Sequence, residues 1–214
     1  MVQVKKDYAR QAILDSARDL FSERGYHRTT VQQIADLSGT GVSSIYTYFP
    51  SKLHLLYGVV APWQHDAYER LDKRVKSLKT PRARLRAILI GVWRDIPMEN
   101  IELANSLMEA LASADRGQPK PVPLLRWVED KLTGMLKDVL RGSGRDIDYE
   151  VLPNLIIMAY DGFVMNRRLN DVRDVERLAD TMCDLLLGEH DKPRPGCPVR
   201  QVRVKRSQLR RAPP

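Results

Sequence analysis

"SGTGVSSIYTYFPSK", residues 38–52, places two glycines, a pair of adjacent serines and two tyrosines around one very short stretch of helical spacing. A helix over about residues 42–48 has little apolar surface of its own, so filling a core is not its main role. Upstream, Thr30 is followed three residues later by glutamine, a capping-box pattern that predicts the start of another short helix. Two short helices joined by a tight turn at Gly39, and braced by a longer helix over about residues 7–24, form a helix-turn-helix unit.

The side chains of this unit divide into an inner and an outer set. Ile34 and Ile45 are predicted to face the small core, and Ala35 is small enough for the two helices to cross closely. The outer set would meet a major groove if the unit binds DNA. An αα-hairpin that merely caps a helical domain is the alternative interpretation. The outward-facing residues of the second helix are Val42, Ser43, Ser44 and Thr47.

The remainder of the chain is also predicted to be helical, because apolar residues recur at spacings of three and four and no alternating strand of useful length occurs. Thr80 followed by Pro81 marks a helix start, and Pro97 is predicted to end that helix. The fourth helix, over about residues 52–78, is expected to bend or break near Pro62. The prediction is an all-α protein of about nine helices, in which 214 residues suffice to bury a substantial core.

Charge is distributed unevenly along the chain. Residues 189–214 contain eight Lys or Arg and two acids, which leaves only +2 of the formal net charge of +8 to the rest. The basic pI is therefore weak evidence for nucleic-acid binding, and we expect this segment to be a flexible basic tail. Cys183 and Cys197 make neither a disulfide framework nor a zinc site. With no secretory signal and no apolar run that could span a bilayer, we expect a cytoplasmic protein without metal, cofactor or membrane partner.

Residues 12–56 resemble the DNA-binding domain of TetR-family transcriptional regulators, without a gap in order or spacing. This resemblance covers about a quarter of the chain; the rest resembles the family only in length and helical content. It implies a DNA-binding domain over residues 1–52 and a helical effector-binding and dimerisation domain over residues 53–188. The matching residues are Phe21, Gly25, Tyr26, Thr29, Thr30, Ile34, Ala35, Gly39, Ile45, Tyr46, Tyr48, Phe49, Ser51 and Lys52.

The resemblance also implies roles for individual residues in binding an operator. Tyr46 corresponds to a phosphate-contacting tyrosine, and Lys52 would hold a phosphate together with the backbone N–H groups that open helix four. Gln32 corresponds to a base-contacting position, although a solvated surface glutamine is the alternative; Tyr48 contacts the backbone or is a packing aromatic. The helix over about residues 42–48 offers no long polar side chain for a bidentate base contact. The candidate DNA-binding residues are Thr30, Gln32, Gly41, Val42, Ser43, Ser44, Tyr46, Thr47, Tyr48 and Lys52.

For the larger domain the resemblance implies a homodimer and a small-molecule effector, for which a lipophilic or aromatic compound is our hypothesis. The candidate effector residues are Trp93, Met108, Trp127 and Tyr160, each of which is otherwise plain core. For Asp95, Asn105 and Glu109, polar groups on the same helices, the two interpretations are that they orient a ligand or that they lie exposed on the surface. The candidate dimer residues, which otherwise pack within one subunit, are Leu155, Ile156, Ala159, Gly162, Phe163, Leu178, Met182 and Leu185.

The sequence therefore favours a homodimeric repressor that a small effector releases from a palindromic operator. A protein-binding helical adaptor and an enzyme are the rival classes. No phosphate-binding loop, zinc-protease motif, nucleophile elbow or dinucleotide fingerprint is present. We accordingly expect a regulator rather than an enzyme.

Overall fold

The computed structural model of the chain describes residues 2–114, 123–170 and 174–188, with side chains from residue 6 onward. Every regular element in these ranges is a helix, and the run from 81 to 99 is one helix interrupted by a π-helical segment, so the described part holds the nine helices expected. The predicted basic tail, residues 189–214, lies outside the described residues. The elements are α1 Val2–Arg28, α2 Val31–Ser38, α3 Val42–Tyr48, α4 Lys52–Ser77, α5 Pro81–Ile90, the π segment Gly91–Asp95, α6 Ile96–Glu99, α7 Ile101–Ala112, α8 Pro123–Leu140, α9 Leu152–Arg168 and α10 Val175–Leu187.

The first three helices form a compact unit because their ends are strongly specified. Gly25, at φ 78° and ψ 171°, interrupts α1 where the sequence predicts its end. The buried hydroxyl of Thr29 donates to the carbonyls of Leu20 and Gly25, at 3.1 and 2.8 Å, and so satisfies carbonyls freed at this interruption. The chain thereby turns sharply into α2.

Helix α4 links this unit to the larger domain without a break. It begins at Lys52, with Ser51 as its N-cap, and continues through Pro62 to Ser77. A bend or a break was predicted near Pro62, and the break does not occur, because buried apolar residues on either side, such as Val60 and Ala67, hold both halves in the core. The division into two domains at residue 52 remains a prediction, since one continuous apolar core runs through both parts.

Pro97 was predicted to end the fifth helix, but the helix continues past it. The π segment Gly91–Asp95 precedes it, with the Ile96 N–H bonded to the Gly91 carbonyl, and α6 then continues to Glu99. Pro97 lies in the first turn of α6, where its missing N–H is tolerated. The extra residue of a π turn therefore absorbs a proline that would otherwise stop the helix.

Ion pairs join the last helix, α10, to α5 and to the π segment. Arg86 Nε donates to Asp180 of α10 at 2.8 Å, and Arg94 Nη1 pairs with Glu176 at 2.9 Å. The Asp180 carboxylate raises the pKa of Arg86, and the carboxylates of Asp95 and Glu176 raise that of Arg94. None of the helices described is both long and apolar enough to cross a membrane.

Candidate DNA-binding surface, ligand cavity and dimer face

The helix-turn-helix has the local geometry that its sequence predicts. Thr30 Oγ1 accepts from Gln33 N at 3.2 Å, and Gln33 Oε1 accepts from Thr30 N at 2.9 Å, which completes the capping box of α2. Gly39 ends α2 in the left-handed region at φ 65°, and Ile34 and Ile45 are buried between the helices. The side chain of Thr30 is thus committed to the cap, while the residue itself lies exposed on the surface.

Helix α3 presents most of its predicted contact residues to solvent. Ser43, Ser44, Tyr46 and Thr47 are exposed, with Tyr46 at 50%. The Thr47 hydroxyl donates to the Ser43 carbonyl at 3.0 Å, so part of its hydrogen-bonding capacity is already used. The other three predicted residues of this surface are Gly41, exposed at the helix N-cap, and Val42 and Tyr48, both half-buried against the core.

Two long side chains predicted to meet DNA are engaged within the protein. Gln32 Nε2 donates to Asp36 at 2.8 Å, leaving its amide oxygen as the free acceptor on an exposed helix face. Lys52 Nζ donates to the carbonyls of Tyr26 and Thr29, both at 2.9 Å, and lies 4.1 Å from the centroid of the Tyr26 ring. Burial lowers the pKa of Lys52. Its ammonium therefore ties α1 to α4, and phosphate binding here would depend on the backbone N–H groups of the first turn of α4.

Glu109 on α7 links the larger domain to the helix-turn-helix, a role that neither of its predicted alternatives anticipated. Its Oε2 accepts from the Tyr26 N–H at 3.0 Å, and its Oε1 pairs with Arg168 at 3.1 Å. The same carboxylate partly offsets the effect of burial on the pKa of Lys52. One turn earlier, the Ser106 hydroxyl donates to the Phe21 carbonyl at 2.9 Å. Helix α7 thus holds the end of α1 directly before the turn into α2.

Leu107, Met108 and Leu111 of α7 face an apolar cavity of about 200 Å³ between α4, α7, α8 and α9. Met108 and Tyr160, two of the four predicted effector residues, line it. Trp93 does not, because its Nε1 donates to the Ile156 carbonyl at 3.0 Å on the far side of α9. Trp127 is also absent from the lining, and its ring stands edge-on to that of Tyr68 at 6.1 Å.

Sequence reasoning missed the polar lining of this cavity. Tyr57, Gln64 and Tyr68 contribute to it from α4, and Asp161 contributes from α9. The spacing of seven and then four residues along α4 was the available signal, since it places the first three side chains on one helical face.

A second, open groove of about 400 Å³ lies between α9 and α10. It is lined by seven of the eight predicted dimer residues, and Leu155, Leu178 and Leu185 are each about half exposed. A Cβ added to Gly162 would meet nothing within 4 Å, so this glycine leaves space on the outer surface. Ile156 is the exception, because it is wholly buried inside the subunit and does not reach this face.

Comparison with known proteins identifies relatives of both parts of the chain. Residues 13–58 match the family model described as bacterial regulatory proteins, tetR family. The HTH-type transcriptional repressor KstR of Rhodococcus jostii is 30% identical over 125 residues, which are 58% of this chain and 57% of that relative. The fatty acid metabolism regulator protein of Bacillus subtilis is 24% identical over 84% of this chain and 95% of its own.

A solved structure shows that the likeness of fold extends over nearly the whole chain. The transcriptional regulator FadR from Bacillus subtilis, in complex with stearoyl-CoA, superposes with a TM-score of 0.63. The superposition covers 83% of this chain and 97% of that one, at 20% sequence identity. The helical domain beyond the matched N-terminal segment therefore has the same fold as in that regulator.

Proposed function

We propose that this chain, which belongs to the TetR family of bacterial DNA-binding transcriptional regulators, is a homodimeric repressor that a small ligand releases from a palindromic operator. The exposed face of α3 beside the capped N-terminus of α2 carries the DNA-binding part of the proposal. Tyr46, Ser43 and Ser44 are free to meet a major groove and its phosphates, while the buried residues behind them fix the angle between α2 and α3.

The dimer is proposed from the groove between α9 and α10. Leucines half exposed on two adjacent helices form an apolar surface that solvent does not favour, and a second copy would cover it. A twofold arrangement of two such faces is self-complementary and would pair two helix-turn-helix units with two half-sites of DNA.

Release by a ligand is proposed from the position of α7. Leu107, Met108 and Leu111 line the cavity, whereas Ser106 and Glu109 hold the end of α1. A ligand that moves α7 by a fraction of an ångström would act on the same contacts that orient the helix-turn-helix, which is the differential interaction that allosteric coupling requires. The relatives are transcriptional regulators, and a role in binding rather than catalysis agrees with this layout.

The ligand is not expected to be stearoyl-CoA, the compound bound in the Bacillus subtilis structure. A cavity of about 200 Å³ lies below the roughly 300–1,000 Å³ usual for ligand sites and is too small to hold the whole of so long a molecule. Among the described lining residues the charged one is Asp161, which would repel the phosphates of coenzyme A.

Gel-shift titration of the purified protein against the DNA upstream of its own gene tests the proposal. We expect a complex whose affinity falls steeply with salt and which unlabelled specific DNA displaces better than random DNA. Tyr46→Phe should weaken binding to both DNAs by a similar factor. The proposal would be overturned if, at low salt, the protein shifted neither this DNA nor random DNA.

A further inference from the structure

The cavity between α4, α7, α8 and α9 combines an apolar wall with a distinctive polar end. Leucine, valine, isoleucine and methionine side chains form the wall, and Tyr57, Gln64, Tyr68, Tyr160 and Asp161 supply the polar groups. Among the described residues that line it there is no lysine, arginine or histidine. An anionic ligand would therefore lose its hydration without gaining a charge partner.

Two of these polar groups lack partners within the described part of the chain. Asp161 makes no hydrogen bond or ion pair there, and burial raises the pKa of its carboxyl group. Tyr160, only 6% exposed, has a buried hydroxyl with no hydrogen-bond partner, although Gln64 is near enough to offset part of the burial that raises its pKa. Unpaired polar groups in an apolar cavity are destabilising, and a bound ligand would relieve that penalty.

The chemistry of the polar end selects among ligand classes. A half-buried carboxylate in surroundings of low dielectric attracts a cation strongly. Aromatic rings add to this attraction, because their faces carry negative potential, and three tyrosines line the same cavity. At about 200 Å³ the cavity lies below the roughly 300–1,000 Å³ usual for ligand sites, which favours a small ligand.

We propose that this cavity binds a small lipophilic amine in its ammonium form, with Asp161 as the charge partner and the tyrosine rings around the cationic head. This inference depends on the proposed function only for its consequence, the release of DNA. Binding itself requires neither an operator nor a dimer.

Isothermal titration of the full-length protein with octylamine, 1-octanol and octanoate at pH 7 tests the ligand class, since the three probes share one tail and differ in head-group charge. We expect octylamine to bind most tightly and octanoate most weakly. Octanoate binding as tightly as octylamine, or no binding of any probe to the wild-type protein, would overturn the proposal.

Two matched variants test the charge partner. Asp161→Asn should weaken octylamine binding about tenfold or more, as expected for loss of a charge-assisted hydrogen bond, and leave 1-octanol within about twofold. Asp138→Asn removes the same charge from the exposed surface of α8 and should change neither. Equal octylamine affinities for the two variants would refute the role of Asp161.

Gel shifts separate this inference from the proposed function. A protein that binds DNA but shows no preference for octylamine refutes only the ligand class. A protein that binds octylamine but no DNA keeps the ligand site and refutes the repressor. If the protein binds both DNA and octylamine, octylamine should dissociate the wild-type protein from DNA at concentrations that leave the DNA complex of Asp161→Asn intact.

Discussion

Glu109→Ala is predicted to loosen the junction between the helix-turn-helix and the larger domain. The substitution removes the acceptor of the Tyr26 N–H and the partner of Arg168. A hydrogen bond to a charged group contributes about 1.5–3 kcal/mol, and a pair with an arginine side chain that is 42% exposed adds only about 0–1 kcal/mol. We therefore expect the free energy of unfolding to fall by about 1.5–4 kcal/mol.

Two further variants apportion this loss. Glu109→Gln keeps one acceptor for the Tyr26 N–H but removes the charge, so we expect the free energy of unfolding to fall by about 1 kcal/mol. Arg168→Ala removes only the exposed pair and should cost less than about 1 kcal/mol. Urea denaturation followed by circular dichroism measures all three, and gel shifts should show weaker DNA binding for Glu109→Ala. If Glu109→Ala is no less stable than Arg168→Ala and binds DNA like the wild type, Glu109 does not hold the junction.

Four further predictions concern single residues of the three candidate surfaces and the core. Gln32→Ala should lose discrimination at one base pair per half-site, by roughly 1–3 kcal/mol if the contact is bidentate, in binding to a library of single-base operator variants. Leu178→Asp should place charge in the groove between α9 and α10 and give a monomer mass by light scattering, where the wild type gives a dimer; a wild-type monomer would contradict the dimer. Gly91→Ala should lower the free energy of unfolding by about 1–3 kcal/mol in urea titration, because its methyl group would clash with the Leu71 side chain. Since burial raises the pKa of Asp161, the wild type loses stability as pH rises through the ordinary range of an aspartate and above it, and Asp161→Asn should become the more stable protein by pH 7 in thermal melts; equal pH dependence of the two would count against it.

The local geometry of the helix-turn-helix could be predicted because its signals lie within a few residues of each other. The Thr30 capping box and the tight turn at Gly39 depend only on neighbouring backbone and side-chain atoms, and both are confirmed. Tertiary contacts have no such local signal. Lys52 is directed inward by carbonyl groups more than twenty residues away in sequence, which its position at a helix start does not reveal.

The larger domain shows the same limit. Apolar residues at helical spacing predicted a dimer face on the last two helices, and the dimer itself stays a prediction. Ile156 in the same stretch faces inward, because the spacing of apolar residues does not show which of them are covered within the subunit. The π segment before Pro97 and the role of Glu109 depend on how helices pack. Periodicity along one helix carries no information about either.

We propose that α2 and α3 recognise a specific DNA sequence as part of a symmetric dimer. Selection of bound fragments from a random DNA pool by the full-length protein, followed by sequencing, tests it most directly. We predict enrichment of one palindromic or near-palindromic motif, with half-sites separated by whole helical turns, and loss of that enrichment in Gln32→Ala combined with Tyr46→Phe. A pool that stays random after repeated rounds would contradict the claim, and so would one whose motif the double variant selects equally well.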